Sequence, residues 1–340
     1  MNTVERKLFH KLKKKKMFGS AKAIAKAVMT LNSSISEEQF DQYHTLLGTP
    51  ETAKRLKSPS IRQQRKLKTF DQLQIRTPEK KLKIAVCLSG QPRSLIHCLD
   101  SLQRFFYGHE VTYFCHSWRG QTDPALLQPL GNFFFSESDS PNTSEFERQA
   151  IQQYGLKHFD SGMKIPFVSP NVFPMWNGVQ QAFNTISEHG FQADQFDLVC
   201  RMRYDNFWIG QFDLEDFAFK NNTLVIDRNY NGYGGYGDQF AIGTPAAMSH
   251  YFNIYNWLTS DFLKGGYSDN CFPEVMLKDY LDHCGIKVHE EDFGLRLLRD
   301  DYVGLAPQDI PLRNHAVSKE RNARLSAYVK ESFPDEWNNN

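Results

Sequence analysis

The chain has 340 residues, 40% of them hydrophobic, and a formal net charge of +1, which is enough for one large or two ordinary domains with a sizeable core. It contains no run of about 18 apolar residues and no N-terminal signal-peptide pattern. These features exclude a predicted transmembrane helix, and we expect a cytoplasmic protein.

The cysteines predict neither disulfides nor a zinc site. None of them forms a Cys-x-x-Cys pair, and several lie inside apolar strand patterns, so buried reduced thiols are expected. They are Cys87, Cys98, Cys115, Cys200, Cys271 and Cys284.

The near-zero net charge conceals a strong asymmetry along the chain. Residues 1–83 carry 20 Lys and Arg against 7 Asp and Glu, which leaves 20 against 32 in the remainder. We therefore predict a basic helical extension over residues 1–80. It is either a solvated arm or an attachment to an anionic membrane surface or an acidic partner.

From residue 82 onward, strand and helix patterns alternate, which predicts an α/β fold with a mostly parallel central sheet. The predicted strands cover residues 82–88, 110–116, 131–136, 196–204, 222–227, 239–243 and 286–290. The predicted helices cover residues 94–106, 143–154, 174–189, 245–258 and 273–283. This domain is assigned to residues 81–316, and residues 317–340 are predicted to form a polar C-terminal tail that begins as a helix.

The segment FDLVCRMRYDNFW, at residues 196–208, is an apolar strand pattern that runs into three charged residues spaced two apart. They are Arg201, Arg203 and Asp205. Side chains spaced two apart in a strand project from the same face, so they are expected side by side at the end of a buried strand. Buried charges are costly unless they are paired or hold a charged ligand, and a diphosphate with a divalent cation is one such ligand.

The segment KIAVCLSGQPR, at residues 83–93, is a strand pattern followed by a loop ahead of a predicted helix. Ligands of open α/β sheets bind beyond the carboxyl ends of strands, which makes this loop a predicted nucleotide pocket. Its binding residues would be Ser89, Gly90, Gln91 and Arg93. The alternative is an ordinary turn between a strand and a helix.

A glycine-rich segment at residues 232–248 brings Asp238 and Gln239 to the start of a short predicted strand. Glycine allows a backbone to approach a ligand closely, and Tyr233 and Tyr236 could stack on a sugar or a base. A tight surface turn would explain the same residues.

Taken together, these segments resemble the bacterial glycosyltransferase-like proteins of surface-polysaccharide synthesis, those of lipopolysaccharide and capsule, which have a GT-A type fold. The shared pattern covers most of residues 82–300 and departs from the usual enzymes at Arg203, Tyr204 and Asp205, where they have Asp-x-Asp. In chain order it consists of CLSGQPR at 87–93, FCHSW at 114–118, LVCRMRYD at 198–205, GDQFAIGTPAAM at 237–248 and FPEVMLKDYL at 272–281.

The resemblance implies a glycosyltransferase that moves a sugar from a nucleotide-diphospho-sugar to a glycan or lipid-linked acceptor. Arg201, Arg203 and Gln239 would join the 89–93 loop in binding the donor. Asp205 is the candidate ligand of a divalent cation, Mn²⁺ or Mg²⁺, because these ions take oxygen ligands and share them with substrate phosphates. An ion pair of Asp205 with Arg201 or Arg203 is the alternative, and Arg203 could itself neutralise phosphate charge.

Transfer also requires a base that deprotonates the acceptor hydroxyl, and Asp238 and Glu274 are the candidate catalytic residues. Glu274 follows Pro273 at a predicted helix start, where a carboxylate is favoured by the helix dipole alone. The sequence does not distinguish between the two carboxylates.

Other function classes fit less well. The chain has no G-x-x-x-x-G-K-[ST] segment and no G-x-S-x-G segment, which argues against a P-loop kinase and an α/β hydrolase. The remaining alternative is a non-catalytic GT-A-like binding module that its basic arm docks on membrane or nucleic acid. For the enzyme we expect no nucleic-acid partner, and residues 1–80 would place it peripherally on the inner face of the plasma membrane.

Overall fold

The computed structural model describes residues 78–92, 94–208, 214–217, 219–228, 234–267, 272–298 and 319–339. The predicted basic extension therefore lies outside the described residues, except for residues 78–80. Arg93, Tyr233 and Cys271 lie outside them as well.

The described residues form eleven strands and eight α-helices. The strands are β1 (Lys83–Ser89), β2 (Glu110–Trp118), β3 (Phe133–Ser138), β4 (Leu156–His158), β5 (Lys164–Pro166), β6 (Leu198–Arg203), β7 (Asn206–Trp208), β8 (Thr223–Asp227), β9 (Ala241–Gly243), β10 (Lys287–Glu291) and β11 (Leu295–Leu297). The helices are α1 (Leu95–Phe105), α2 (Ser144–Tyr154), α3 (Val172–Glu188), α4 (Pro245–Phe252), α5 (Ile254–Leu258), α6 (Pro273–His283), α7 (Lys319–Ser332) and α8 (Pro334–Asn339).

Seven strands form one sheet in the order β10-β8-β9-β6-β1-β2-β3. All neighbouring pairs are parallel except those of β9, which runs antiparallel to both β6 and β8. The prediction of an α/β fold with a mostly parallel central sheet is confirmed. The carboxyl ends of β1, β2, β6 and β8 and the start of β9 consequently meet along one side, which we call the carboxyl edge.

The central strands β1, β2, β6, β8 and β9 are buried on both faces, as expected of strands with near-continuous apolar sequence, whereas the edge strands β3 and β10 are only partly buried. One apolar cluster includes Ala85 and Val199 of the sheet together with residues of α3, α4 and α6. The other includes Val86 and Cys200 and packs against α1 and the β7–β11 pair. Adjacent residues of one strand thus serve opposite cores, which follows from the two-residue period of a strand.

The helix predicted over residues 245–258 is two helices, α4 and α5, separated at Asn253. The side-chain oxygen of Asn253 accepts a hydrogen bond from Asn256 Nδ2 at 2.6 Å. Asparagine has a low helix propensity, which is consistent with the break at this residue.

Two three-residue strands that the sequence pattern does not reveal, β7 and β11, pair antiparallel just after β6. The main-chain N–H of Leu298 donates to the Asp205 carbonyl at 2.8 Å, and the Ser94 hydroxyl donates to the Leu298 carbonyl at 2.6 Å. Leu298 therefore forms hydrogen bonds with both the residues just after β6 and the residue before α1.

The C-terminal residues that the sequence sets apart as a polar tail form α7 and α8. Val329 and Phe333 are buried against Ile151 and Leu156, and the Ser326 hydroxyl accepts a hydrogen bond from the main-chain N–H of Lys164 at 3.1 Å. These helices are packed on the domain through α2 and β5.

Five cysteines, Cys87, Cys98, Cys115, Cys200 and Cys284, lie in the described part of the chain and are free thiols. Burial raises the pKa of the first four thiols well above the ordinary value and also raises that of Cys284. Among the described helices, none combines the length and the apolar composition that a bilayer span requires.

Candidate functional site

The strand register brings two predicted site residues, Ser89 and Arg203, together with His116 of β2 at the carboxyl edge. Ser89, the last residue of β1, is the register partner of Arg203 on β6 and of His116 on β2. Ser89 is buried, whereas Gly90 and Gln91 are exposed. The loop that the sequence assigns to nucleotide binding is thus adjacent to the cationic strand end.

Gly90 has a backbone conformation that only glycine adopts easily, with φ +112° and no atom near the position of a Cβ. The chain turns there from β1 toward α1 and leaves open space beside the loop. Ser94, the residue before α1, gives no side-chain cap to the helix because its hydroxyl bonds to Leu298 instead. The first N–H groups of α1 are therefore not capped by Ser94.

Arg203 and Asp205 form a bidentate ion pair just beyond β6. Arg203 Nε donates to Asp205 Oδ1 at 2.7 Å, and Arg203 Nη2 donates to Asp205 Oδ2 at 2.8 Å. The Asp205 side chain is 8% exposed and that of Arg203 is 24% exposed. The carboxylate is thus held below the guanidinium, which reaches solvent at the carboxyl edge.

Arg201 points to the same face of β6 as Arg203, as the two-residue spacing predicts, but it is 2% exposed. Its Nη1 donates to the main-chain carbonyl of Gln239 at 2.7 Å. Asn206 Nδ2 donates to the same carbonyl at 3.1 Å. Burial lowers the pKa of Arg201, and the nearby Tyr251 and Asp238 oppose that shift. The sequence therefore places Arg201 in the right region, but its side chain is deeper than that of Arg203.

Several buried polar atoms around Arg201 have no hydrogen-bond partner within the described part of the protein. We call their residues the buried polar cluster. It consists of Arg201 (Nε), Asn206 (Oδ1), Gln239 (Oε1), Tyr251 (OH) and Trp176 (Nε1). The Trp176 and Tyr251 ring centroids are 5.9 Å apart. A buried polar atom without a partner costs about 1–3 kcal/mol, so this concentration makes the buried polar cluster a candidate binding site.

The glycine-rich loop is packed against protein backbone. A Cβ on Gly235 would lie 2.2 Å from the Glu274 carbonyl carbon, and one on Gly237 would lie 2.3 Å from the Asp227 carbonyl oxygen. The main-chain N–H of Tyr236 donates to the Glu274 carbonyl at 2.8 Å. Close approach to α6 and β8 explains these two glycines without a ligand.

Of the two predicted catalytic carboxylates, Asp238 lies in the glycine-rich loop, and Glu274 lies in α6, against which that loop packs. Asp238 is buried and accepts a hydrogen bond from the Gln239 side-chain amide. Glu274 is half-buried in the first turn of α6, after Pro273 at the helix start. Tyr236 is turned toward α6, with the Lys278 ammonium 4.9 Å from its ring centroid. It therefore contacts the helix and not the carboxyl edge.

His116 and its neighbours form the β2 side of the edge. His116 Nε2 lies 2.9 Å from the Ser138 hydroxyl, and burial lowers the pKa of the imidazole to about 4. Gln91 Nε2 donates to Gln121 Oε1 at 3.4 Å, which links the β1 loop to the loop after β2. His116 is therefore a buried, hydrogen-bonded neutral histidine at ordinary pH.

Sequence reasoning missed three members of the buried polar cluster, Asn206, Tyr251 and Trp176. Asn206 directly follows Asp205 in the sequence. Its position next to the charged motif is the signal that would have added it to the predicted site. Tyr251 occupies a position in α4 where an aromatic residue is typical of a core, and no sequence signal identifies its hydroxyl. Its burial against Arg201 depends on the packing of α4 on the sheet.

The residues present do not fit a divalent cation held by the protein. Both oxygens of Asp205 accept hydrogen bonds from Arg203. Within the described ranges no three or more His, Cys, Asp or Glu side chains come together in a way that could ligate a metal. Asp205 as a metal ligand stays a prediction that this geometry does not support.

Comparison with protein-family models found no match for the chain. Comparison with curated proteins likewise found no significantly similar sequence.

Proposed function

We propose that the protein is a glycosyltransferase of the GT-A type that transfers a sugar from a nucleotide-diphospho-sugar to a glycan or lipid-linked acceptor in surface-polysaccharide synthesis. The observation that carries the proposal is the register pairing of Ser89 with Arg203. It joins a strand-to-helix loop, where phosphates bind in α/β sheets, to an arginine at the end of the neighbouring strand. The mostly parallel sheet with the antiparallel β9 is compatible with this fold.

The buried polar cluster supports a sugar as the second part of the ligand. Its unpartnered atoms are both donors, such as Arg201 Nε and Trp176 Nε1, and acceptors, such as Gln239 Oε1. A sugar hydroxyl donates and accepts hydrogen bonds at the same oxygen, so it matches such a mixed set. A purely anionic ligand would favour a set of hydrogen-bond donors without acceptors.

In the proposed reaction the acceptor oxygen forms a bond to the anomeric carbon of the sugar, and the bond from that carbon to the diphosphate breaks. The nucleoside diphosphate leaves with the bonding electron pair, and the acceptor proton passes to a carboxylate. Asp238 and Glu274 remain the two candidates for this base. Asp238 lies close to the buried polar cluster through Gln239, whereas Glu274 is nearer to solvent.

The basic residues 1–80 would attach the enzyme to the inner face of the plasma membrane, where a lipid-linked acceptor is available. Each Lys or Arg near an anionic surface contributes about 1 kcal/mol, so several acting together are sufficient. No nucleic-acid partner is part of this proposal.

The experiment is a screen of UDP, GDP, CDP and ADP sugars by thermal shift, because a ligand that binds only the folded state raises its stability. One conjugate should raise the melting temperature more than its free nucleotide does. Substitution of Tyr251 by Phe removes one hydroxyl of the buried polar cluster and should reduce that extra shift but not the shift given by the free nucleotide. The absence of any shift with all conjugates would contradict the proposal.

The bidentate pair of Arg203 and Asp205 favours a second function, a GT-A-like module that binds a nucleotide-sugar without turning it over. In that case the identified donor would bind, yet no free nucleoside diphosphate would be released when membrane extracts containing lipid-linked acceptors are added. Release of the nucleotide that depends on the extract would support the enzyme and exclude the module.

A further inference from the structure

The Asp205 carboxylate is engaged by arginine at both of its oxygens. The two hydrogen bonds come from different nitrogens of Arg203, at 2.7 and 2.8 Å, which is the parallel fork geometry of a strong charge-assisted pair. At 8% exposure the carboxylate presents little surface, while the guanidinium is the more exposed partner. A ligand arriving from solvent at this point meets positive charge first.

The next carboxylate along the carboxyl edge is also close to an arginine. Asp238 lies near the buried Arg201, whose guanidinium it stabilises electrostatically, and it accepts a hydrogen bond from Gln239. Asp205 and Asp238 thus each have a guanidinium nearby. A divalent cation bound between them would have to approach both arginines, which adds like-charge repulsion to the loss of the Arg203 fork.

We propose that Arg203, held in place by Asp205, supplies the positive charge for the donor diphosphate, and that the site binds a nucleoside diphosphate without a divalent cation. The inference rests on the proposed function. Arg203 is the phosphate-binding residue, because a guanidinium carries five N–H donors, of which Asp205 engages two, and guanidinium groups are well suited to phosphate oxygens. Asp205 is a positioning residue, which restrains the side chain of Arg203, the register partner of Ser89.

The test is calorimetric titration of the full-length protein with UDP, GDP, CDP and ADP, each in excess EDTA and in excess MnCl₂. We expect at least one nucleotide to bind with dissociation constants that agree within about threefold in the two buffers. Binding that requires Mn²⁺, or that is tighter by about tenfold or more with it, would overturn the inference and leave the proposed function intact. Absence of binding in both buffers would overturn both.

Three variants test whether Arg203 is the residue that supplies the positive charge for the diphosphate. Arg203→Gln should weaken binding by about tenfold or more in both buffers, because it removes charge-assisted hydrogen bonds to phosphate. Asp205→Asn should weaken binding less, and equally in both buffers, whereas a metal ligand would lose affinity only with MnCl₂. Arg324→Gln, at an exposed arginine of α7, is the matched control and should leave binding unchanged.

A second measurement keeps the test decisive if Arg203→Gln fails to fold. Arg203→Lys retains the charge but not the fork, and it should bind the nucleotide several-fold more weakly in EDTA. The electron paramagnetic resonance signal of free Mn²⁺ should be unaffected by wild-type protein alone. Loss of that signal on adding wild-type protein, but not on adding Asp205→Asn, would identify Asp205 as a metal ligand and overturn the inference.

Discussion

Arg201 on β6 donates from Nη1 to the main-chain carbonyl of Gln239 at 2.7 Å, and so links the central strand to the residues that precede β9. The bond crosses from a parallel strand to the start of the antiparallel one. It fixes the backbone on which Asp238 is carried, which makes a buried guanidinium a determinant of the shape of the carboxyl edge.

Replacement of Arg201 by Met should therefore destabilise the protein by about 2–4 kcal/mol, because it leaves the Asp238 carboxylate buried without its neighbouring positive charge. The free energy of unfolding from urea denaturation measures the effect. Arg324→Met, at an exposed helical position, should change it by less than about 0.5 kcal/mol. A similar small change for both variants would show that the Arg201 contact has little energetic weight.

Replacement of Gly235 by Ala should destabilise the protein by about 1–3 kcal/mol, because the new methyl carbon would lie 2.2 Å from backbone of α6. The matched control is Gly178→Ala in α3, where the methyl carbon meets only the Trp118 ring at 3.4 Å. There alanine favours the helix, and stability should be unchanged or slightly higher. Thermal unfolding followed by circular dichroism distinguishes the two, and equal stability of both variants would contradict the packing role of Gly235.

His116 should make stability depend on pH. Burial lowers its pKa from 6.5 to about 4, so between these values the unfolded chain binds a proton that the folded protein excludes. Stability is therefore retained above about pH 6.5 and falls as pH decreases toward 4, by about 2–3 kcal/mol from this group.

The measurement is urea denaturation of the wild type, His116→Gln and His97→Gln across that pH range. The slope of unfolding free energy against pH should decrease in His116→Gln and stay as in the wild type in His97→Gln, because His97 is exposed on α1. Identical slopes in all three proteins would remove His116 from the acid response.

The lysines of the N-terminal segment should control membrane attachment. Replacing residues 13–16, four consecutive lysines, by glutamine should weaken sedimentation with vesicles that contain anionic lipid, and raising the salt concentration should weaken it further. The control replaces four exposed lysines of the described domain, Lys157, Lys220, Lys264 and Lys287. Equal sedimentation of both variants, or competition by duplex DNA, would contradict lipid attachment through this segment.

The sequence was sufficient to predict the parallel core, because β1, β2 and β6 are apolar runs that end in polar residues. It also predicted that Arg201 and Arg203 share a face, which is a property of strand geometry alone. It could not predict which arginine pairs with Asp205. That choice depends on the turn after β6, which is held by the three-residue strands β7 and β11, too short to recognise by periodicity.

The apolar pattern of the sequence likewise could not predict strand direction or tertiary packing. The apolar alternation of β9 is the same whichever way it runs, so its antiparallel placement had no sequence signal. The glycines at 235 and 237 indicated close approach correctly, but a sequence does not say whether the approaching group is a ligand or the protein's own backbone. Tyr251 joins the site only because α4 packs on the sheet.

The antiparallel direction of β9 determines where the connection between β8 and β9 lies, and so which segment can vary while the sheet is kept. Because β8 ends and β9 begins at the same side of the sheet, the connection between Asp227 and Ala241 starts and finishes at the carboxyl edge. Changes in its length cost little chain entropy and leave the strands in place, provided that Gly235, Gly237 and Gln239 keep their contacts with Glu274, Asp227 and Arg201. In the proposed glycosyltransferase, grafting this one hairpin connection would therefore alter donor preference, while the seven-stranded sheet and the Arg203 side chain stay as they are.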